Sequence, residues 1–180
     1  MGNENKRVEI TFEGKKYIRR DEKWTDSSYI VVPDTMQRKL NDAYSESIDI
    51  SGLHYNSLIE EADRFKESSS YDMAIKYYEE AIKKGSQSDI RYILPRITSC
   101  YRRNKQPQKA IALFSEIKKK YGAGFFSSSL LTSAAAAYCD IGKYAEAKKC
   151  IDRAYAMSGG KSSPEMNAVY GRLRKEANIG

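Results

Sequence analysis

The sequence predicts a mostly α-helical chain: an α-solenoid of three tandem helix pairs with a C-terminal capping helix, preceded by a small antiparallel β-meander and its own helix. Three observations predict it. Alanines recur at Ala74, Ala110 and Ala147, at spacings of 36 and 37 residues. An aromatic precedes each by nine positions, at Phe65, Tyr101 and Tyr138, and a bulky apolar residue follows each by four, at Tyr78, Phe114 and Ile151. The first fifty residues lack this period. They alternate apolar and polar residues through Val8, Ile10 and Phe12, the period of a half-buried strand. Two segments follow, an N-terminal appendage over 1–50 and a helical repeat domain over 51–180.

In the appendage, Glu13-Gly14 is a turn candidate and Tyr17-Ile18 continues a second strand. Asp21-Glu22-Lys23 offers another turn, and Tyr29 to Val32 reads as a third strand, with Trp24 nearby. So small a sheet is marginal alone, so it should pack on a helix. Pro33 ends the strand, Asp34 is placed to cap a helix, and Gln37 would complete a capping box. Met36, Leu40 and Tyr44 share one face of that helix, and 45–52 reads as a linker.

In each repeat two short amphipathic helices bury their apolar stripes against one another and against the next repeat. The third copy shows the pattern most plainly. Leu131, Ala134, Ala135 and Tyr138 form one helical face, Gly142-Lys143-Tyr144 turns, and Ala147, Ile151 and Ala154 form the second face. The equivalent positions are Leu58, Ala62, Phe65, Ala74, Tyr78 and Ala81 in the first copy. In the second they are Leu94, Thr98, Tyr101, Ala110, Phe114 and Ile117. Over residues 53–160 this resembles the tetratricopeptide repeat family. The family's Trp is Leu in every copy, and its closing Pro is replaced by Ser86, Gly122 and Gly159. After the third copy, Pro164 suits a helix's first turn, and Met166, Val169, Tyr170 and Leu173 form a stripe that fits the closing cap of a solenoid.

Charge is distributed unevenly. Residues 91–127 hold nine basic residues and one acidic, whereas 51–90 hold five basic and eight acidic. A localised field of one sign favours a partner of the other. The resemblance implies that the first helix of each repeat lines a groove. Its groove positions fall on Asn56, Ile59 and Asp63, then Tyr92, Arg96, Ser99 and Arg103, then Ser129, Thr132, Ser133 and Ala136. Tyr92 beside Arg96 offers a stacking surface with a cationic fork, suited to carboxylate or phosphate. One subset of the family clamps chaperone C-termini through Lys, Asn and Arg. Here the clamp positions read Ile59, Asp63, Arg96, Ser129 and Ser133, so no such binding is expected. Pro95 interrupts the helix predicted from about Ile90, which should start late or kink there.

Catalytic chemistry is not expected. Gly159-Gly160-Lys161-Ser162 lacks the upstream glycine of a phosphate loop, since position 155 is Tyr. His54 has no metal partners by spacing, and Cys100, Cys139 and Cys150 form no CxxC pair, so no metal or cofactor is expected. No apolar stretch approaches the ~20 residues of a membrane span. With no signal-peptide core visible, the expectation is cytoplasmic. The partner-binding residues expected are Tyr92, Arg96, Ser99, Arg102, Arg103, Asn56 and Thr132. The function expected is protein–protein interaction, with a peptide or protein segment of acidic character in the groove. The alternative is a nucleic-acid-associated regulatory protein that holds phosphate backbone on the basic second repeat. Self-association through a repeat edge is a third option.

Overall fold

The computed structural model describes residues 8–20 and 23–177. Three strands, β1 (Val8–Phe12), β2 (Lys15–Arg20) and β3 (Lys23–Thr25), form an antiparallel sheet in the order β1-β2-β3. Eight α-helices follow: α1 (Asp34–Ser47), α2 (Tyr55–Glu67), α3 (Tyr71–Lys84), α4 (Gln87–Arg103), α5 (Pro107–Tyr121), α6 (Ser128–Asp140), α7 (Tyr144–Met157) and α8 (Pro164–Ala177). A single 3₁₀ turn, Ala123–Phe125, lies between α5 and α6. The fold class is therefore mostly helical, with a small antiparallel sheet and three helix pairs followed by a closing helix. The chain divides into two compact units, 1–80 and 81–180.

In the first unit, Glu13 and Gly14 both take positive φ, and the β1-β2 register pairs Val8 with Arg19 and Phe12 with Lys15. The expected Asp21-Glu22 turn lies outside the described residues. The third strand is Lys23–Thr25, not Tyr29–Val32. Trp24 is the reason: it is fully buried and anchors the short strand in a core with Tyr17 and Leu40. Residues 26–30 instead form a tight turn, in which the Asp26 carboxylate accepts from the Ser28 and Ile30 amides. Only Val31 keeps a bridge, to Thr25.

The expected capping box on α1 does not form. The N-cap position is Pro33, which has no side-chain acceptor, and Asp34 sits in the first turn, where its charge complements the helix dipole. Gln37 is drawn off to the sheet. Its Nε2 donates to the Trp24 and Val32 carbonyls at 2.8 and 3.1 Å, and its Oε1 accepts from the Trp24 amide at 2.7 Å. The Trp24 indole donates to Asn41 Oδ1 at 2.7 Å. One side-chain amide thus replaces the next strand of the sheet. Helix α1 continues to Ser47, into the segment expected as linker.

Arg19 is buried in the same unit. Its guanidinium lies 5.3 Å from the Phe65 ring centre and 5.7 and 5.8 Å from those of Tyr44 and Trp24, and it donates to Ser70 Oγ at 3.4 Å. An aromatic enclosure of this kind offsets part of the cost of removing the charge from water. Between α2 and α3, Phe65 meets Tyr77 at 5.3 Å, and the Tyr78 hydroxyl donates to Asp63.

In the second unit, α4 packs on α5 and α6, α6 on α7, and α8 on both α6 and α7. All the expected repeat positions are buried except Tyr138, which is half-buried. The stripe of α8 is buried at Met166, Val169 and Leu173. Helix α4 begins earlier than expected, because Ser86 and Asp89 form a reciprocal capping box, and it continues through Pro95 to Arg103. Proline has no N–H, so the Arg91 carbonyl loses its helical donor, at a cost of about 3 kcal/mol. Seven buried side chains from Ile90 to Tyr101 hold the helix together across that defect.

The helix pairs share one reversal. The fourth residue after the aromatic takes positive φ: Ser69 at 62°, Lys105 at 58° and Gly142 at 71°. The next amide then donates back to the aromatic's carbonyl: Ser70 to Phe65 at 2.8 Å, Gln106 to Tyr101 at 2.8 Å and Lys143 to Tyr138 at 2.9 Å. The same closure recurs after α7, where Gly159 has φ 68° and the Gly160 amide donates to Tyr155 at 3.1 Å. This is the Schellman reversal, which favours glycine at its left-handed position.

Lys105→Gly should stabilise the second unit by roughly 1 kcal/mol, and Gly142→Ala should destabilise it by a similar amount. Urea unfolding of the full chain reads both; shifts in the same direction would contradict the shared turn. A second expectation concerns alkaline pH. Burial, with Glu61 nearby, pushes the Tyr77 hydroxyl up to about 12. Burial and the Asp152 carboxylate that accepts from it do the same for Tyr170. The unfolded chain ionises these phenols near 10, so it gains from deprotonation first. Stability should be unaffected by them below pH 10 and fall between about 10 and about 12. Phenolate absorbance should show Tyr77 and Tyr170 among the tyrosines that titrate late, and Tyr77→Phe with Tyr170→Phe should shrink the loss.

Candidate binding face of the second repeat

On α4, residues 92, 96, 99 and 103 recur at three- and four-residue intervals and so share one face. The buried residues of α4 lie on the opposite side, and this face is its exposed one: Tyr92 is 48% exposed, Arg103 is exposed, and Arg96 and Ser99 are half-buried. The Arg96 guanidinium lies over the Tyr92 ring at 3.5 Å from its centre, and its Nη1 donates to the Tyr92 carbonyl at 3.0 Å. The aromatic and the cation therefore form one preassembled platform, held by the four-residue offset and by a main-chain acceptor.

The other expected residues fall elsewhere. Arg102 points to α6, where its Nε donates to Asp140 at 2.6 Å. Asp140 also accepts from Arg172 of α8 at 2.6 Å, and Arg172 reaches Glu176 at 3.1 Å. Arg102 is thus a structural tie between three helices. Thr132 is buried, and its hydroxyl donates back to the Ser128 carbonyl at 2.9 Å, so it presents nothing to a partner. Asn56 is exposed on α2 and belongs to the first unit. The second unit brings together Tyr92, Arg96, Ser99 and Arg103.

Sequence reasoning missed a second basic cluster. Arg91 lies 4.8 Å from the Phe125 ring centre, Phe125 stacks on Tyr121 at 4.6 Å, and the Lys120 ammonium lies 5.1 Å from the Tyr121 ring centre. Arg153 of α7 donates to the Ala123 carbonyl at 2.8 Å. Burial pushes the Cys150 thiol up, with Lys118 and Arg153 pulling it the other way. The sequence signal was the Lys118–Lys120 run, but nothing in the order of residues tied it to Arg91 or Arg153.

Comparison with known families finds a match to the PPR repeat over residues 97–121. That segment is the last two turns of α4, the reversal at Lys105 and all of α5. The PPR repeat is a helical repeat family related to the tetratricopeptide family, which is itself not matched. Nothing matches among curated proteins or among solved structures. The chain is a helical-repeat protein, and no helix among its described residues is long and apolar enough to cross a membrane.

Asp140→Ala should destabilise the second unit by about 2 kcal/mol, because two charge-assisted contacts go at once: part-buried Arg102 loses its carboxylate and Arg172 keeps only Glu176. Adding Arg102→Ala should cost little more. A urea double-mutant cycle reads the coupling, and additive losses would show that Arg102 is not held by Asp140.

Proposed function

We propose that this chain is a non-enzymatic binding module whose second repeat holds single-stranded RNA along the exposed face of α4. The observation that carries the reading is the coincidence of three features in one helix pair. The PPR match falls on residues 97–121, PPR repeats often bind RNA, and 91–127 is the most basic stretch of the chain. Tyr92 supplies a π-face on which any base stacks, and Arg96 and Arg103 supply charge for the phosphates flanking it. Single strands suit such a platform because their bases are free to splay out. The Tyr92–Arg96 pair also favours a second reading. A guanidinium fork beside an aromatic ring accepts a carboxylate equally well, which would make the partner an acidic peptide segment.

Fluorescence anisotropy of a labelled mixed-sequence 20-nucleotide RNA, beside a labelled glutamate-rich peptide, separates the two. RNA binding should fall steeply with salt, weaken by about 1–3 kcal/mol on Tyr92→Ala, and be lost on Arg96→Glu with Arg103→Glu. Peptide binding with no RNA binding at low salt would replace this reading with the second.

A further inference from the structure

Resting on the RNA reading, we infer that the same strand continues off α4 onto a basic crown around the Gly122–Phe125 loop, where Arg91, Lys120 and Arg153 hold its phosphates. The crown draws one cation from each of three helices. Arg91 comes from α4, Lys120 from the end of α5 and Arg153 from α7. All three are exposed. Each is oriented by a contact other than a carboxylate, and none is ion-paired among the described residues: Arg91 by the Phe125 ring at 4.8 Å, Lys120 by the Tyr121 ring at 5.1 Å and Arg153 by the Ala123 carbonyl at 2.8 Å. The stacked Tyr121 and Phe125 rings form the floor that links the first two.

The surroundings favour an anion. Glu116 is the single acidic residue from 90 to 139. Asp152, next to Arg153 in sequence, already accepts from Lys148 at 3.0 Å and from Tyr170 at 3.0 Å. At Gly122 and Gly124 the loop has open space where a side chain would stand, so a backbone can approach it closely. Arg91 is the residue before Tyr92, so the crown is continuous with the α4 platform. A strand that stacks a base on Tyr92 meets the crown in one direction and Arg103 in the other. From Arg91 to Arg103 the helix rises about 18 Å, so phosphate contacts are spread along the ligand. The path leaves the line of first helices that the sequence had suggested as the groove and crosses to the far end of α5.

The test is salt-dependent anisotropy with the labelled 20-nucleotide RNA on the full chain. Each phosphate contact removed lowers the slope of log affinity against log salt by about 0.7 for single strands. Arg91→Gln with Lys120→Gln and Arg153→Gln should lower the slope by about 2 and weaken binding at least about tenfold near physiological salt, with helical circular dichroism unchanged. Lys120→Gln alone, at an exposed helix end, should lower it by about 0.7 and decides the matter if the triple variant does not fold. An unchanged slope in these variants, while Arg96→Glu with Arg103→Glu abolishes binding, would overturn the crown and leave the α4 reading standing. No RNA binding by the unsubstituted chain at low salt would overturn both.

Discussion

The reversal between paired helices is the constraint from which the repeat structure follows. Helices of 13 to 17 residues are marginal alone in water, and their apolar stripes stabilise them only when they meet a second helix. One left-handed residue and one amide returning to the aromatic's carbonyl bring the next helix back antiparallel. The aromatic's position then sets which side chains meet, and alanine at the start of the second helix admits the close approach. Ser69 and Lys105 hold a conformation better suited to glycine. The packing of the pair imposes it, which places the determinant in the hairpin and not in the residue.

Pro95 shows the same hierarchy within one helix. Local preference argues for a break, yet α4 runs unbroken because its buried side is continuous on both sides of the proline. The defect falls toward the exposed side, beside Arg91 and Tyr92. The face with the weakest backbone support is thus the face that carries the candidate platform. Burial secures the far side of the helix, so the exposed side can carry tyrosine and arginine.

Electrostatics divide the basic residues by role. Arg19 and Arg102 are structural: one is enclosed by aromatic rings and the other paired with Asp140. Arg91, Arg96 and Arg103 stand on the solvent side of α4. Net charge along the sequence counts all five alike. Their environments separate them: Arg19 is buried among rings, Arg102 has a carboxylate at 2.6 Å that largely cancels its field, and the other three reach solvent.

Periodicity alone was enough for the repeat helices, the third pair's turn at Gly142 and the closing helix, because helical spacing and burial are local consequences of residue order. The platform was legible for the same reason, since Tyr92, Arg96, Ser99 and Arg103 lie on one face of one helix. What failed in the sequence depended on partners distant in the chain. Trp24 moved the third strand by burying itself, and Gln37 left its cap to bond that strand's backbone. Arg102 and Thr132 were withdrawn from the site by Asp140 and by the interior of α6. The assembly of Arg91, Lys120 and Arg153 was invisible for the same physical reason. Their proximity is made by helix packing across sixty residues of chain, and no pattern within any one helix encodes it.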